Sequence, residues 1–426
     1  MEFTVTIPPT KHQRIVIIGA GFGGLKLARM LVNTQYQLII LDKNNEHQFQ
    51  PLFYHIATSG LEPSSICFPL QKIFQKEKNV IILQATVEAI DSDKNSISTS
   101  IGSIEYDYLV IATGCDTNYF GNATIMKHAF GMKSVSEALS LRNHILQNLR
   151  NHTHHQDKHE KYLNLVIVGG GPTGFEIAGT LADLRNHILP NDCQEVDFSK
   201  LRISLIHSGE RLLATYDTKS SENAKTYLED SGVQIQLNTK VIGYDGAVVA
   251  LADGAVIPSN TLIWVAGVTG NKIEGLRAES IIYGNRYRVN EFNMLEGYNN
   301  IFAIGDISFQ VDKDSPGGHP QLAQVAIQQG KELADNLKRL LQKKAMRPFI
   351  YIDYGTMASA GRNKAIFEMG KLKIYGAVAW FIWMFIHLMA LLGVKNKILT
   401  FLNWAWSYIN FNKNLRQRIK QEIKPE

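Results

Sequence analysis

Two stretches of this 426-residue chain have the residue types and spacing to hold a dinucleotide. The first is Gly19-Ala20-Gly21-Phe22-Gly23-Gly24, which follows the apolar run Arg14 to Ile18 and precedes the helix-forming Leu25 to Leu31. Strand, glycine turn and helix in that order form a dinucleotide-binding fingerprint. Gly19 allows the tight turn. Gly21 lets the backbone approach a pyrophosphate, and Gly24 lets the helix pack on the strand. The helix N-terminus then offers free N–H groups and a positive dipole end to the phosphates. A second apolar run, Gln37 to Leu41, ends at Asp42-Lys43, where the carboxylate can accept from a ribose hydroxyl.

The unit recurs. Leu163 to Val168 runs into Gly169-Gly170-Gly171-Pro172-Thr173-Gly174 and continues Phe175-Glu176. Two fingerprints imply two nucleotide cofactors, and one enzyme holding both is most simply a flavoprotein that takes hydride from a nicotinamide. The strand after the second copy, Leu201 to Ile206, ends at His207, where a ribose-binding acid is expected. A missing carboxylate with Arg211 nearby admits a 2′-phosphate and hence NADPH. If Glu210 or a main-chain group takes the ribose instead, NADH remains the substrate, and this is the favoured reading. Two further strands mirror each other, Tyr106 into Ala112-Thr113-Gly114 and Thr261 into Ala266-Gly267. Asn300 to Ile304 is another buried strand, ending at Gly305-Asp306. Gly317 to Pro320 then leads into a helix expected over Gln321 to Leu341. Gln324 and Gln328 fall on one face of it, and Ala323 and Ala326 leave room for a planar ligand.

The elements that must position these residues make up an ordinary globular composition, 45% hydrophobic and 19% charged. The length suits two or three domains. Met1 to Thr10 carries no signal-peptide pattern, and Met1 to Gln13 reads as a loose lead-in. Cys67, Cys115 and Cys193 lie too far apart for a disulfide framework, a CxxC redox pair or a cysteine zinc site, which fits a reducing compartment. Histidines 152, 154, 155 and 159 have no carboxylate or cysteine placed to complete a metal site, so the stretch from 151 to 160 reads as a solvated linker and no metal is expected. Gln48 to His55 reads as an aromatic-rich loop, Val80 to Ile90 as a strand and Ser134 to Leu149 as a helix.

The net charge of +5 is unevenly spread. From Lys371 onward nine Lys/Arg face two Glu, and four of the five tryptophans sit there too. A basic, Trp-rich, apolar tail on a slightly acidic body points to an anionic membrane surface and not to nucleic acid. Ile374 to Val394 is about long enough to span a bilayer. Matched lysines flank it, Lys371 and Lys373 before, Lys395 and Lys397 after, so no basic asymmetry orients a span. With the interfacial pattern of Ile398 to Ile409, the tail reads as a monotopic anchor. The expected fold class is α/β, with two Rossmann-like dinucleotide-binding domains and a helical membrane-docking module. The first domain is discontinuous, 1–119 and 268–346; the second is 120–267; the module is 347–426.

These motifs resemble the type II NADH:quinone oxidoreductases, single-subunit, non-pumping flavoenzymes with two dinucleotide-binding domains. The marks are both glycine loops, Phe49-Gln50-Pro51-Leu52, Tyr106 to Gly114, Trp264 to Val268, Phe302 to Asp306, Ala323-Gln324-Val325-Ala326-Ile327-Gln328-Gln329-Gly330, and Asn403 to Tyr408. The resemblance implies non-covalent FAD on Gly19, Gly21, Phe22, Gly23, Gly24, Asp42, Lys43, Thr113, Gly114, Gly305, Asp306 and Gln324. It implies NADH on Gly169, Gly171, Pro172, Thr173, Gly174, Glu176, His207 and Gly267. Glu176 matches the glutamate near the nicotinamide–flavin contact, and Gln324 and Gln328 match the pair at the quinone site. His207 departs from the family's usual Glu. A membrane quinone (menaquinone or ubiquinone), a homodimer and a peripheral place on the cytoplasmic face of the inner membrane are the matching expectations. Rivals are a disulfide reductase or a sulfide:quinone oxidoreductase, which need paired cysteines. A ferredoxin- or rubredoxin-type reductase would not need the tail. A flavin-bearing membrane scaffold with incidental redox activity is a different class again.

Overall fold

The computed structural model describes residues 7–154, 160–192 and 198–410. Cys193, His155, His159, the start of the lead-in and the basic residues from Lys413 onward lie outside the described residues, as do the side chains of His154 and Trp406. The chain divides into two units. One comprises Met1–Gln48, Cys67–Asp116 and Val268–Asp353; the other comprises Phe49–Ile66, Thr117–Gly267 and Tyr354–Glu426.

In the first unit, Arg14–Ile18 is the middle of a parallel sheet. It is flanked by Gln37–Asp42 and Tyr108–Ile111, with Val80–Gln84 and Ile301–Ala303 at the edges. Ile15, Val16, Ile17, Leu38 and Ile39 are fully buried. Unbroken apolar runs of this kind suit strands covered on both faces. Each such side chain contributes roughly 2 kcal/mol by leaving water. Phe22–Leu31 is the first helix, and Ala323–Leu341 packs against it. Their approach is close because a Cβ on Gly330 would lie 2.5 Å from the Gly23 carbonyl oxygen.

The expected strand over Val80 to Ile90 is two strands. Val80–Gln84 belongs to the parallel sheet, whereas Val87–Asp91 opens an antiparallel sheet with Ser96–Thr99 and Gly102–Glu105. The chain changes sheets at Ala85–Thr86, a switch that leaves no break in the apolar pattern. The glutamine helix begins at Ala323, two residues later than expected, after extended Leu322 at its N-cap.

The second unit repeats the plan. Asn164–Val168 lies between Arg202–Ile206 and Thr261–Trp264, with Gln234–Gln236 beyond, all parallel. Again an antiparallel sheet, Val241–Tyr244, Val248–Leu251 and Val256–Pro258, precedes the last parallel strand. Val135–His154 is one helix that runs past the expected end at Leu149 into the histidine-rich stretch. Its polar residues are partly structural: buried Asn148 donates to Thr261 Oγ1 at 3.0 Å. Gln50–Leu52 and Phe53–Ala57 are short helices where a loop was expected.

The C-terminal part of this unit is a meander, Thr356–Ser359, Ala365–Met369 and Leu372–Tyr375, followed by helices Gly376–Ala390 and Val394–Asn410. The apolar run from Ile374 to Val394 is therefore broken at both ends. It starts in a strand and stops at extended Leu391. A 15-residue helix rises about 22 Å, short of the roughly 30 Å hydrocarbon core. Among the described residues no helix is long and apolar enough to cross a membrane.

Candidate functional site

In the first unit the glycine loop turns between the middle strand and the Phe22–Leu31 helix. A Cβ on Gly24 would overlap the Gly19 carbonyl oxygen, so strand and helix can meet only over glycine. A Cβ on Gly21 would meet nothing, as would one on Gly114. Gly21 is the N-cap and makes no side-chain cap, which leaves the first-turn N–H groups facing that open space. This is the cradle that a pyrophosphate needs, and the residues present fit FAD.

Asp42 stands at the end of its strand. Its Oδ2 accepts from Ala20 N at 2.7 Å and its Oδ1 from Asn44 N at 2.7 Å. Burial pushes this carboxyl above its usual range, against those two bonds. Thr113 Oγ1 donates to the Asn271 carbonyl at 2.8 Å. Cys115 Sγ donates to Asp306 Oδ2 at 2.9 Å, and Gln321 Nε2 to the Asp306 carbonyl at 2.9 Å. The structure thus gathers Gly19, Gly21, Phe22, Gly23, Gly24, Asp42, Lys43, Thr113, Gly114, Gly305, Asp306, Gln324 and Gln328 within one unit.

In the second unit the loop is built the same way. A Cβ on Gly174 would overlap the Gly169 carbonyl, while one on Gly171 would meet nothing. Pro172 opens the Pro172–Asp183 helix, whose N-cap Gly171 again carries no side-chain cap. His207 lies where the first unit has Asp42. Its Nδ1 accepts from Gly170 N at 3.1 Å. Burial lowers its pKa, so it is neutral near pH 7, with Nδ1 bare and the proton on Nε2. Arg211 does not reach out as a phosphate ligand here: it donates to Ala214 O at 2.8 Å and Thr218 Oγ1 at 3.1 Å. Gly267 accepts from Asn118 N at 3.0 Å through its carbonyl.

Glu176, one turn into the same helix, accepts from Ser359 N at 3.4 Å. Desolvation pushes its carboxyl well above the usual range, and Tyr54 and Tyr216 lie close enough to feel its charge. It therefore holds a proton at a pH where an exposed glutamate has lost one. Glu176 belongs to the second unit, whereas Gln324 and Gln328 belong to the first.

Residues 13–330 match the family model for pyridine nucleotide-disulphide oxidoreductases. The chain is 34% identical over 420 residues to the type II NADH:quinone oxidoreductase Ndh of Mycobacterium tuberculosis, covering 95% of this chain and 89% of that one. It is 30% identical over 369 residues to the type II NADH:quinone oxidoreductase of Staphylococcus aureus, covering 83% and 89%. The chain belongs to the type II NADH:quinone oxidoreductases. Its fold matches NDH2 from Plasmodium falciparum solved with NADH, at a TM-score of 0.86, 20% identity and coverage of 94% and 99%. The sulfide:quinone oxidoreductase of Aquifex aeolicus has the same fold at a TM-score of 0.72 and 19% identity.

As a type II enzyme the chain has two described cysteines, Cys67 and Cys115, and neither is joined in a disulfide. Among its described residues no group of acidic, histidine and cysteine side chains could hold a metal ion. Two features escaped the sequence reading. Gln329, next to the marked Gln328, is the buried one: its Oε1 accepts from Gly305 N at 2.7 Å and so fixes the Gly305–Asp306 turn. The second is an aromatic cluster in the second unit. His55 lies 5.7 Å from Trp383 and 6.2 Å from Trp404, Trp383 stacks on His387 at 4.4 Å, and Phe49 meets His387 at 6.2 Å. Burial lowers the His55 pKa to about 3 and that of His387 to about 4. Their only sequence signal was that the Phe49-Gln50-Pro51-Leu52 stretch and the aromatic tail occur in one chain. In the structure the two stretches pack together.

Proposed function

We propose that the protein is a peripheral, monotopic membrane flavoenzyme that oxidises NADH by hydride transfer to FAD and reduces a membrane quinone without pumping ions. The observation that carries this reading is the pair of glycine loops, each open where a pyrophosphate would lie, in a chain of this family. We assign FAD to the first loop, in 1–119 and 268–346, and NADH to the second, in 120–267. Bound FAD supplies two-electron chemistry between a hydride donor and a quinone.

The protein's own groups bind, orient and screen. The uncapped N-terminus of the Ala323–Leu341 helix offers positive potential to negative charge at the flavin's pyrimidine end. Gln324 donates to a quinone carbonyl without placing a charge in an apolar setting, where a charge is costly. Glu176 holds a proton on its carboxyl oxygen in the nicotinamide region. Neutral His207 offers Nε2–H to the adenosine ribose and sets no negative charge against a 2′-phosphate, so NADPH is a weaker alternative substrate.

Membrane docking rests on residues 347–426. Val378, Phe381, Phe385, Met389, Ile398, Phe401 and Leu402 are exposed apolar side chains on the two C-terminal helices. A patch of that kind marks a membrane or protein contact. The basic tail favours an anionic leaflet, which supports a site on the cytoplasmic face; the homodimer is carried over from the family resemblance alone. The test is steady-state NADH oxidation that depends on added quinone, with co-sedimentation on anionic vesicles. Phe381→Ser with Phe385→Ser should cut vesicle binding several-fold; unchanged binding would refute the docking surface.

A further inference from the structure

We propose that Gln328 is a positioning residue: its side-chain amide clamps an exposed apolar strap, residues 347–353, onto the Ala323–Leu341 helix, and the strap supplies the apolar wall against which quinone binds. The proposal rests on the quinone reading above and changes how this glutamine serves it.

The Gln328 amide is committed at both ends. Nε2 donates to the Ile352 carbonyl at 2.8 Å, and Oε1 accepts from Ile352 N at 3.0 Å. The same arrangement recurs at Asn336 on the same helix. Its Nδ2 donates to the Arg347 carbonyl at 2.8 Å and its Oδ1 accepts from Arg347 N at 2.7 Å. A primary amide carries a donor and an acceptor side by side. It can therefore pair with both backbone groups of one residue, as a facing strand would. Eight helical residues rise about 12 Å, and five extended residues reach about 16 Å, so the strap is long enough to bridge both clamps with slack. The pairing order runs the strap back toward the helix N-terminus, where Gln324 lies one turn before Gln328 on the same face.

The strap's side chains alternate. Phe349 is buried, and both Phe349 and Tyr351 turn to His319, with ring centroids 5.5 Å away in each case. Ile350 and Ile352 point outward, 75% and 55% exposed. Strand β-pairing does not hold the segment among the described residues; the two amides and the bond from Phe349 N to the Glu291 carbonyl at 2.7 Å do. Two exposed isoleucines held rigidly beside the turn that carries Gln324 form an apolar surface next to a hydrogen-bond donor. That pairing suits a molecule with a polar carbonyl head and an apolar ring and tail.

The test is a double-mutant cycle on the full-length holoenzyme with a soluble short-chain ubiquinone analogue. Ile352→Pro removes the N–H that Gln328 accepts and leaves the glutamine in place. Gln328→Ala and Ile352→Pro should each raise the quinone KM about tenfold with kcat held within about twofold, and the double variant should be no worse than either. In Gln328→Ala, hydrogen exchange at the Ile352 amide should quicken about tenfold. Losses that multiply, or normal quinone kinetics in Ile352→Pro, would overturn the clamp in favour of direct contact between Gln328 and quinone. Should Ile352→Pro fail to fold, unchanged exchange at Ile352 in Gln328→Ala overturns it. Exchange is read without quinone, so the clamp can fail or stand separately from the enzymatic reading.

Discussion

At the first glycine loop a carboxylate closes the turn, and at the second an imidazole does. Asp42 Oδ2 accepts from the N–H of Ala20, the second residue of its loop, and His207 Nδ1 accepts from the N–H of Gly170, the second residue of the other. The sheets behind the two loops have the same order around the central strand. The loop therefore needs only an acceptor at that point, and either side chain provides it. What differs is charge. In the assignment proposed above, an ionised Asp42 selects for ribose hydroxyls as donors and repels a phosphate. Neutral His207 does neither, and it presents a donor at Nε2.

The largest expected contrast comes from the glycines that pack each helix on its strand. Gly24→Val should yield protein that no longer retains flavin. Gly174→Val should keep the flavin spectrum while losing its bleaching by NADH. Flavin loss from the second variant, with the first unaffected, would reverse the assignment of the two loops. Next come the closing side chains. Asp42→Ala should weaken flavin binding by about 2 kcal/mol, roughly thirtyfold in Kd, because a charge-assisted contact is lost. His207→Ala should raise the KM for NADH only several-fold, since a neutral hydrogen bond is worth less. Equal losses would show that charge is not what separates the two loops.

A sharper form is His207→Glu. It restores the acid and should lower kcat/KM for NADPH by about tenfold or more while NADH changes little. Unaltered discrimination would mean the ribose is read elsewhere. The smallest effect concerns Glu176. Its raised pKa means that the neutral form stabilises the fold, fully below the ordinary value of 4.5, and that this stability is lost as pH rises through the raised value. Glu176→Gln cannot ionise. Its Tm should track the wild type in acid and exceed it by about 2 °C in mild alkali. A constant difference across pH would place Glu176 in a wetter setting.

Both loops were readable from sequence because their demands are local: an apolar run, glycines at fixed offsets, a helix. The α/β class followed from their repetition. Asp42 and His207 were readable as well, since each ends the next strand. Gln329 was not, because on the helical pattern it is one more glutamine, and only the packing of the Ala323–Leu341 helix shows that it faces inward to Gly305. The split at Ala85–Thr86 was hidden because a change of sheet leaves the apolar alternation intact. The 374–394 run had the hydropathy of a span, but Gly376, at a φ of +71, turns the chain from strand to helix inside it. The pairing of His55 with Trp383 and Trp404 was out of reach, because nothing local in a sequence ties residue 55 to residue 383.

The central claim is tested most directly by anaerobic titration of the purified holoenzyme. One equivalent of NADH per flavin should bleach the flavin absorbance, and one equivalent of a soluble quinone should restore it. A flavin that NADH does not bleach, or that stays bleached in the presence of quinone, would contradict the account.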